Sequence, residues 1–326
     1  MIRQIFTWLL AFAVLSTVSL ANSQQPKKLP RLGMLLALSP DESVDINAFR
    51  QGLATLGYVE GKNIAIEYRY AEGKLDRLPA LAAELVGLKV DVIVALSPPS
   101  AHAAKNATKT IPIVMRSTDD PVRTGLIASL ARPGGNITGL TSISTELIGK
   151  RLEILKESVP KAHVIAVLRN PTAPDADLKW KETETAGRAL GLQFQSVEVK
   201  APDDFAGAFR KAMSAKPHAL TVLRNPLIVN NRKRIAELAS KNMLPAMYDD
   251  REFVDAGGLM SYGADLTDLH RRAAIYVDKI LQGRKPADLP VEQPTKFDFV
   301  INLKAAKQIG LTIPPNVLAR ADRVIK

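Results

Sequence analysis

Short runs of β-branched residues alternate with longer amphipathic stretches after residue 30, and this alternation limits the possible folds more than any other feature. In the first half it predicts strands and helices in turn, with strands over Arg31–Leu38, Asn63–Tyr70, Asp91–Ala95 and Ile111–Met115 and helices over Val44–Leu56, Leu75–Gly87 and Ser100–Thr108. Strands that alternate with helices of this length form βαβ units with a parallel sheet. Helices on both faces of that sheet predict a doubly wound α/β fold.

The same alternation restarts after a predicted helix at Glu146–Ser158, and the second half contains an internal repeat. Residues 163–171 read HVIAVLRNP and residues 218–226 read HALTVLRNP, so six of nine positions are identical. Both segments are expected to be strands that end at the same carboxyl edge of one sheet. One long helix is predicted over Ile228–Asn242. The chain therefore predicts two α/β lobes, each with a doubly wound parallel sheet.

Polar residues follow the predicted strands, at the edge where open α/β sheets bind their ligands. Each also has an ordinary structural explanation, because Ser, Asp and Asn cap helices and Asn-Pro opens turns. If the two edges face each other, these residues line one cleft. The candidate ligand-binding residues are Ser97, Ser100, Asp119, Asp120, Thr141, Ser142, Arg169, Asn170, Arg224, Asn225, Tyr248 and Tyr262.

The candidates in the first half suit the two charged ends of an amino acid. Ser97 and Ser100 lie where a helix begins, so their hydroxyls and free backbone N–H groups could meet a carboxylate. Asp119 or Asp120, on a neighbouring turn, could accept a charge-assisted hydrogen bond from an ammonium group.

The candidates in the second half suit the remainder of such a ligand. Arg169 and Arg224 could present a planar fork to a second acidic group, unless they point to solvent or pair with acidic residues at 175 and 177. Tyr248 and Tyr262 offer apolar faces with a polar tip, which suit an aromatic or aliphatic ligand body.

Motifs for catalysis, metal binding and nucleic-acid binding are missing from the sequence. It contains no GxGxxG, GxxxxGK[ST], HExxH or GxSxG, and its four histidines lie far apart. The lack of cysteine excludes thiol catalysis and thiolate metal sites. The net charge is +11, but the basic residues are spread along the chain instead of forming one basic face or arm. We therefore expect no catalytic residue, no metal, no cofactor and no nucleic-acid partner.

The first 23 residues have the layout of a secretory signal peptide. Arg3 supplies the positive charge, residues 5–20 form an apolar run, and small residues permit cleavage after Ala21 or Ser23. This run of sixteen residues, interrupted only by Thr and Ser, is short for a membrane span, which needs about 20. Without cysteine the chain cannot carry a lipoprotein anchor, so we expect an exported protein that is soluble after cleavage.

Longer segments closely resemble one family. The segment DPVRTGLIASLARPGGNITGL (120–140) resembles the signature of the ABC-transporter substrate-binding proteins whose better-known members bind tryptophan and tyrosine. Further family-like segments are FRQGLATLGYVEGKNIAIEYRYAEG (49–73), GGLMSYG (257–263) and LPVEQPTKFDFVINLKAAKQIGLTIP (289–314). Two positions depart from the family pattern. The family more often has an uncharged residue at the position of Arg169 and a more glycine-rich turn in place of Ser97-Pro98-Pro99.

The resemblance implies a type I periplasmic-binding-protein fold with three crossings between the lobes. It implies a first lobe of residues 31–142 plus 264–290 and a second lobe of residues 146–262 plus 291–326. It further implies a periplasmic, monomeric receptor that carries an amino acid or another small carboxylate to an ABC permease in the inner membrane.

Two other functions share this architecture. A LacI-type regulator would need a DNA-binding helix-turn-helix before the first strand, where this chain has the signal-peptide pattern. A two-lobed α/β enzyme with its active site in the cleft is disfavoured by the missing motifs but not excluded by them.

Export with cleavage after Ala21 or Ser23 can be tested directly. Mass spectrometry of the protein from the periplasmic fraction should give a mature N-terminus at residue 22 or 24. An intact Met1 in that fraction, or retention of the chain in the membrane, would contradict the prediction.

Overall fold

The computed structural model describes residues 29–40, 44–173 and 175–326, so the predicted signal peptide lies outside the described residues. The described strands form a five-stranded sheet and a seven-stranded sheet. We call each sheet, with the helices packed on it, a lobe. Within the described ranges, no helix is long and apolar enough to cross a membrane.

The first lobe contains a fully parallel sheet of order β2-β1-β3-β4-β5. Its elements are β1 Arg31–Leu36, α1 Val44–Thr55, β2 Ala65–Tyr70, a 3-10 turn at Leu75–Arg77, α2 Leu78–Gly87, β3 Val92–Ala95, α3 Pro98–Ala107, β4 Ile113–Ser117 and β5 Ile137–Thr141. Every strand predicted in this half is present, with ends that shift by at most two residues.

The second lobe has the order β12-β11-β10-β9-β8-β6-β7. Its elements are α4 Ile148–Ser158, β6 Val164–Arg169, α5 Ala176–Ala189, β7 Gln193–Glu198, α6 Asp204–Ser214, β8 Ala219–Val222, α7 Pro226–Asn230, α8 Arg232–Lys241, β9 Ala246–Tyr248, α9 Arg251–Asp255, β10 Met260–Ala264, β11 Phe297–Asn302, α11 Leu303–Gln308, α12 Pro315–Leu318 and β12 Arg323–Ile325. Helix α10, Leu266–Leu281, packs on α1 of the first lobe.

Two details of the second lobe differ from the sequence prediction. Strand β11 runs antiparallel to β10, because the chain re-enters this lobe from the first one instead of through a crossover helix. The single helix expected over 228–242 is two helices, α7 and α8, which meet at Asn231. The prediction of one long helix there was wrong, since α7 begins at Pro226 behind the Asn225 cap and a separate helix begins at Arg232.

Each sheet separates two hydrophobic layers, as alternation of side chains along its strands requires. In β1, Leu32 and Met34 pack towards α1 and α10, whereas Leu35 packs towards α2 and α3. In β6, Ile165 belongs to the layer with α4 and Leu168 to the layer with α6. Helices therefore cover both faces of both sheets, which confirms the doubly wound α/β prediction.

The described chain passes between the lobes after β5, after β10 and before β11. At the third passage, Glu292 adds to the edge of β5, with backbone bonds from Thr141 N to Glu292 O (2.9 Å) and from Glu292 N to Gly139 O (3.1 Å). The lobe boundaries at residues 142, 264 and 291 stay a prediction.

Gly139 should be one of the least replaceable residues of the first sheet. Its φ is +137°, and a Cβ there would lie 2.0 Å from the backbone oxygen of Met115. Gly139→Ala should lower the free energy of unfolding by roughly 1–3 kcal/mol or more, because the two strands must separate. Urea denaturation followed by circular dichroism measures this change.

Gly87→Ala is the matched control. Gly87 ends α2, and a Cβ there would have nothing within 4 Å. The substitution should be neutral or stabilising by about 0.5 kcal/mol. Equal effects at Gly139 and Gly87 would contradict this account.

Candidate functional site

A cavity of about 80 Å³, measured as the space open to the centres of water molecules, lies between the carboxyl edges of the two sheets. That space holds roughly half a dozen waters, which is the size of a small metabolite. From the first lobe it is lined by Leu36, Ala37, Leu38, Leu75, Leu96, Ser97, Pro98, Pro99, His102, Arg116, Thr118, Asp119 and Thr124. From the second lobe it is lined by Asn170, Ala173, Asp175, Lys179, Arg224, Asn225, Pro226 and Val229. The cavity is thus lined by apolar residues, most of them from the first lobe, and by several charged residues from both lobes.

The beginning of α3 lies at the cavity, but it lacks the free backbone donors that the sequence suggested. Ser97 caps the helix and accepts from Ser100 N at 3.4 Å, and its hydroxyl donates to Ser100 Oγ at 2.8 Å. Pro98 and Pro99 have no N–H group, and Ala101 N is bonded to Ser97 O. The expectation of free N–H groups for a carboxylate was therefore wrong, and this helix end offers mainly hydroxyls.

The adjacent aspartates point in different directions. Asp120 Oδ1 accepts from Val122 N (2.9 Å) and Arg123 N (3.1 Å), so it caps a turn and is not part of the cavity lining. Asp119 lines the cavity and is only 1% exposed. Its carboxylate faces the second lobe.

Lys179 of α5 meets Asp119 across the cleft. Its Nζ lies 3.0 Å from Asp119 Oδ1, contacts Asp175 Oδ2 and donates to the backbone oxygen of Arg224 at 2.9 Å. An ammonium group has three N–H donors, so these contacts use all of them. The group is therefore buried and fully hydrogen-bonded.

The pKa shifts in this cluster follow from burial and charge. Burial alone would raise the pKa of Asp119, but Lys179 brings it below its ordinary value. Burial raises the pKa of Asp175 to about 6, and Asp119 adds to that rise while Lys179 opposes it. Burial would lower the pKa of Lys179, but the two carboxylates raise it. At neutral pH the Asp119–Lys179 pair is ionised.

The two arginines of the internal repeat occupy different places. Arg169 is the last residue of β6, where it pairs with Glu198 of β7 (3.4 Å) and stacks over Trp180, 5.0 Å from the ring centre. Strand β8 ends at Val222, so Arg224 lies beyond it and lines the cavity. Arg224 Nη1 lies 3.7 Å from Asp249 Oδ1 and 3.4 Å from Asp250 Oδ2. The acidic partners shown for these arginines thus differ from Asp175 and Asp177, which the sequence had offered as an alternative.

Asn170 and Asn225 both line the cavity, as the repeat predicted. Each also holds a turn: Asn170 Oδ1 accepts from Thr172 N at 2.9 Å, and Asn225 Oδ1 accepts from Ile228 N at 3.1 Å. Strands β6 and β8 are parallel neighbours, which brings the two turns to one edge.

Besides Asp120 and Arg169, five candidates lie away from the cavity lining, and one of them is Ser100, which is fully buried. Tyr248 is fully buried and stacks on Phe253 with ring centres 4.7 Å apart, inside the second lobe. Tyr262 stacks on Phe297. Thr141 donates to Asp119 O at 3.1 Å, and Ser142 N donates to Ser117 O at 2.8 Å. These two hold the Ser117–Asp119 turn instead of facing the cavity.

The sequence analysis did not identify four residues that line the cavity: His102, Arg116, Asp175 and Lys179. Buried residues on α5 recur at positions 176, 179, 183 and 187, so a lysine at 179 lies on the inner face of the helix. That spacing was the available signal. Arg116 belongs to β4 and its Nε bonds to His270 Nε2 at 3.1 Å. Burial lowers the pKa of His102.

A second hollow of about 310 Å³ lies between α9 and the start of α10. Its charged residues pair among themselves, as in Arg232–Glu252 (3.9 Å) and Arg251–Asp255 (3.5 Å). Within the described part of the chain, no group of three or more His, Cys, Asp or Glu could hold a metal ion.

The family model for ABC transporter substrate-binding proteins matches residues 39–325. The chain belongs to this family. Its members are substrate-binding proteins and not enzymes. The resemblance seen in the sequence is confirmed.

Three relatives place the protein within its family. A tyrosine-binding protein of Clostridioides difficile (strain R20291) is 29% identical over 263 residues, which cover 81% of this chain and 75% of the relative. An ABC domain from Streptococcus pneumoniae in complex with L-Trp is 27% identical, with a TM-score of 0.82 and coverage of 91% and 99%. The ligand-free, open structure of a Clostridium difficile substrate-binding protein with adhesive properties is 26% identical, with a TM-score of 0.66 and coverage of 91% and 99%.

Asp250 should make the stability of this substrate-binding protein depend on pH. Burial raises the pKa of Asp250 to about 7, although Arg224 opposes the rise. A carboxyl whose pKa is higher in the folded state stabilises the fold at low pH and loses that contribution as pH rises. From pH 4 to 7, wild type should therefore lose up to about 1.4 kcal/mol per pH unit relative to Asp250→Asn. Urea denaturation at several pH values measures the difference.

Asp204→Asn is a control of opposite sign. Backbone hydrogen bonds from Lys200 and Ala201 lower the pKa of the exposed Asp204, so its contribution is present above its unfolded pKa and is lost as pH falls. A difference between wild type and Asp250→Asn that does not change with pH would contradict the assignment.

Proposed function

We propose that the protein is an exported, soluble receptor that binds a small carboxylate-bearing ligand, an amino acid or a close analogue, and delivers it to an ABC permease. The observation that carries this proposal is the cavity between the two lobes, which combines apolar walls with buried charges. Pockets of this composition orient a small ligand through a few polar groups and bind its body through apolar contact. The tyrosine-binding relative and the L-Trp complex support the ligand class.

Hinge closure is part of the proposal. The structure matches the L-Trp complex with a TM-score of 0.82 and the ligand-free, open structure with only 0.66, at nearly equal identity and coverage. This difference supports a closed arrangement of the lobes. Contacts across the cleft agree with it, because Arg123 Nη1 lies 2.9 Å from Glu182 Oε1 at the rim and Asp119 meets Lys179 inside. In this mechanism the ligand closes the lobes about their three connections, and the closed form is recognised by the permease.

The remaining features are inferred from the family and from the N-terminal pattern. We propose lobes of residues 31–142 plus 264–290 and 146–262 plus 291–326, a periplasmic location after signal-peptide cleavage, and a monomeric state. Of the predicted site residues, those on the cavity lining are proposed ligand contacts: Ser97, Asp119, Asn170, Arg224 and Asn225.

A thermal-shift screen tests the ligand class. The mature protein is heated with each of the common amino acids and with small carboxylic acids, and hits are measured by calorimetry. A ligand that binds only the folded state raises its stability by RT ln(1 + [L]/Kd), about 2.7 kcal/mol at 100 times Kd. We expect a stabilising carboxylate among these compounds.

Arg224→Gln and Arg169→Gln form a matched pair for that measurement. Arg224 lines the cavity, so its loss should weaken binding of a hit by about tenfold or more. Arg169 lies over Trp180 and away from the cavity lining, so Arg169→Gln should leave the affinity unchanged. Stabilisation only by neutral sugars, or equal effects of both variants, would contradict the proposal.

A further inference from the structure

Lys179 occupies the position that a ligand ammonium group would need. Its Nζ bridges a carboxylate of the first lobe, Asp119, and a carboxylate of the second, Asp175, and donates to a backbone oxygen as well. The lysine side chain is 5% exposed and that of Asp119 is 2% exposed. An amino-acid ammonium has the same three donors and would seek the same partners. The protein therefore carries its own cation in the acidic part of the cleft.

Resting on the proposed function, we infer that the ligand is a small carboxylate with an apolar body and without an α-ammonium group, because Lys179 fills the acidic subsite. A ligand ammonium would have to displace a buried, fully hydrogen-bonded lysine. Asp119 is only 1% exposed, and its Oδ1 accepts from Thr118 Oγ1 at 3.2 Å in addition to its contact with Lys179.

The cavity lining holds more basic than acidic residues, although Arg224 also lies near two acidic residues outside that lining, Asp249 (3.7 Å) and Asp250 (3.4 Å). Its lining contains three basic residues, Arg116, Lys179 and Arg224, and two acidic ones, Asp119 and Asp175. Lys179 contacts both acidic residues. Asp175 also hydrogen-bonds to Asp119, and burial raises its pKa to about 6.

Matched ligand pairs test the inference on the unmodified mature protein. Calorimetry at pH 7 compares L-tyrosine with 3-(4-hydroxyphenyl)propanoate, L-tryptophan with indole-3-propanoate and L-leucine with 4-methylpentanoate. In the pair that binds best, the compound without the amino group should bind at least tenfold more tightly. Tighter binding of the amino acid overturns the inference and leaves the proposed function intact. If no member of any pair or of the earlier screen binds, the proposed function fails and the inference fails with it.

A lysine variant gives a second measurement. Lys179→Met keeps much of the side-chain volume but frees Asp119 and Asp175, so the preference should shift at least tenfold towards the amino acid of the pair. Lys181→Met, an exposed position on the same helix, should leave the preference unchanged. An unchanged preference in Lys179→Met overturns the inference. If that variant does not fold, the wild-type comparison still decides.

Discussion

A buried ion pair between Lys179 and Asp119 joins the two lobes at the centre of the cleft. Removing two charges from water costs several kcal/mol per ion, and the pair recovers this only because hydrogen bonds satisfy the ammonium completely. When the lobes separate, both ions regain water. The pair therefore contributes little net free energy to closure and much to its geometry. A ligand can shift such a balanced equilibrium through its own differential contacts with the closed form.

The connections between the lobes are held by a second buried cation. Arg151 of α4 donates to Ser144 O (2.5 Å) in the first passage and to Tyr262 O (3.4 Å) beside the second. Asp249 adds a contact to Ser144 Oγ at 3.3 Å and faces Arg224 on its other side. A chain of polar contacts thus runs from the cavity wall to the hinge. Rotation of the lobes must act on the same residues that line the ligand site.

Most of the fold could be predicted from the sequence, because strand and helix periods are local properties. The repeat correctly placed Asn170 and Asn225 at one edge, since parallel neighbours end together. The repeat did not reveal that Arg169 belongs to a strand whereas Arg224 lies beyond one. The length of β6 is set by its pairing with β7 and not by its own residues. Tyr248 shows the same limit. Its stacking on Phe253 depends on how α9 folds back against β9, which no local pattern reports.

Lys179 was the most informative residue that local patterns did not identify. Its position on the inner stripe of α5 is visible in the sequence, but the carboxylate that it meets lies 60 positions away and in the other lobe. Only the packing of the two lobes against each other brings the pair together. Interactions across a cleft are set by the docking of lobes, and sequence periodicity contains no record of that docking.

The consecutive prolines at the beginning of α3 have a consequence for how this binding site can change over evolution. Because Pro98 and Pro99 have no N–H group, this end of the cavity leaves recognition of the proposed ligand mainly to side chains. Main-chain donors belong to the scaffold and persist through substitution, whereas a side chain can be exchanged by a single codon change. A cleft of this kind can change its ligand by side-chain substitution while its framework stays the same.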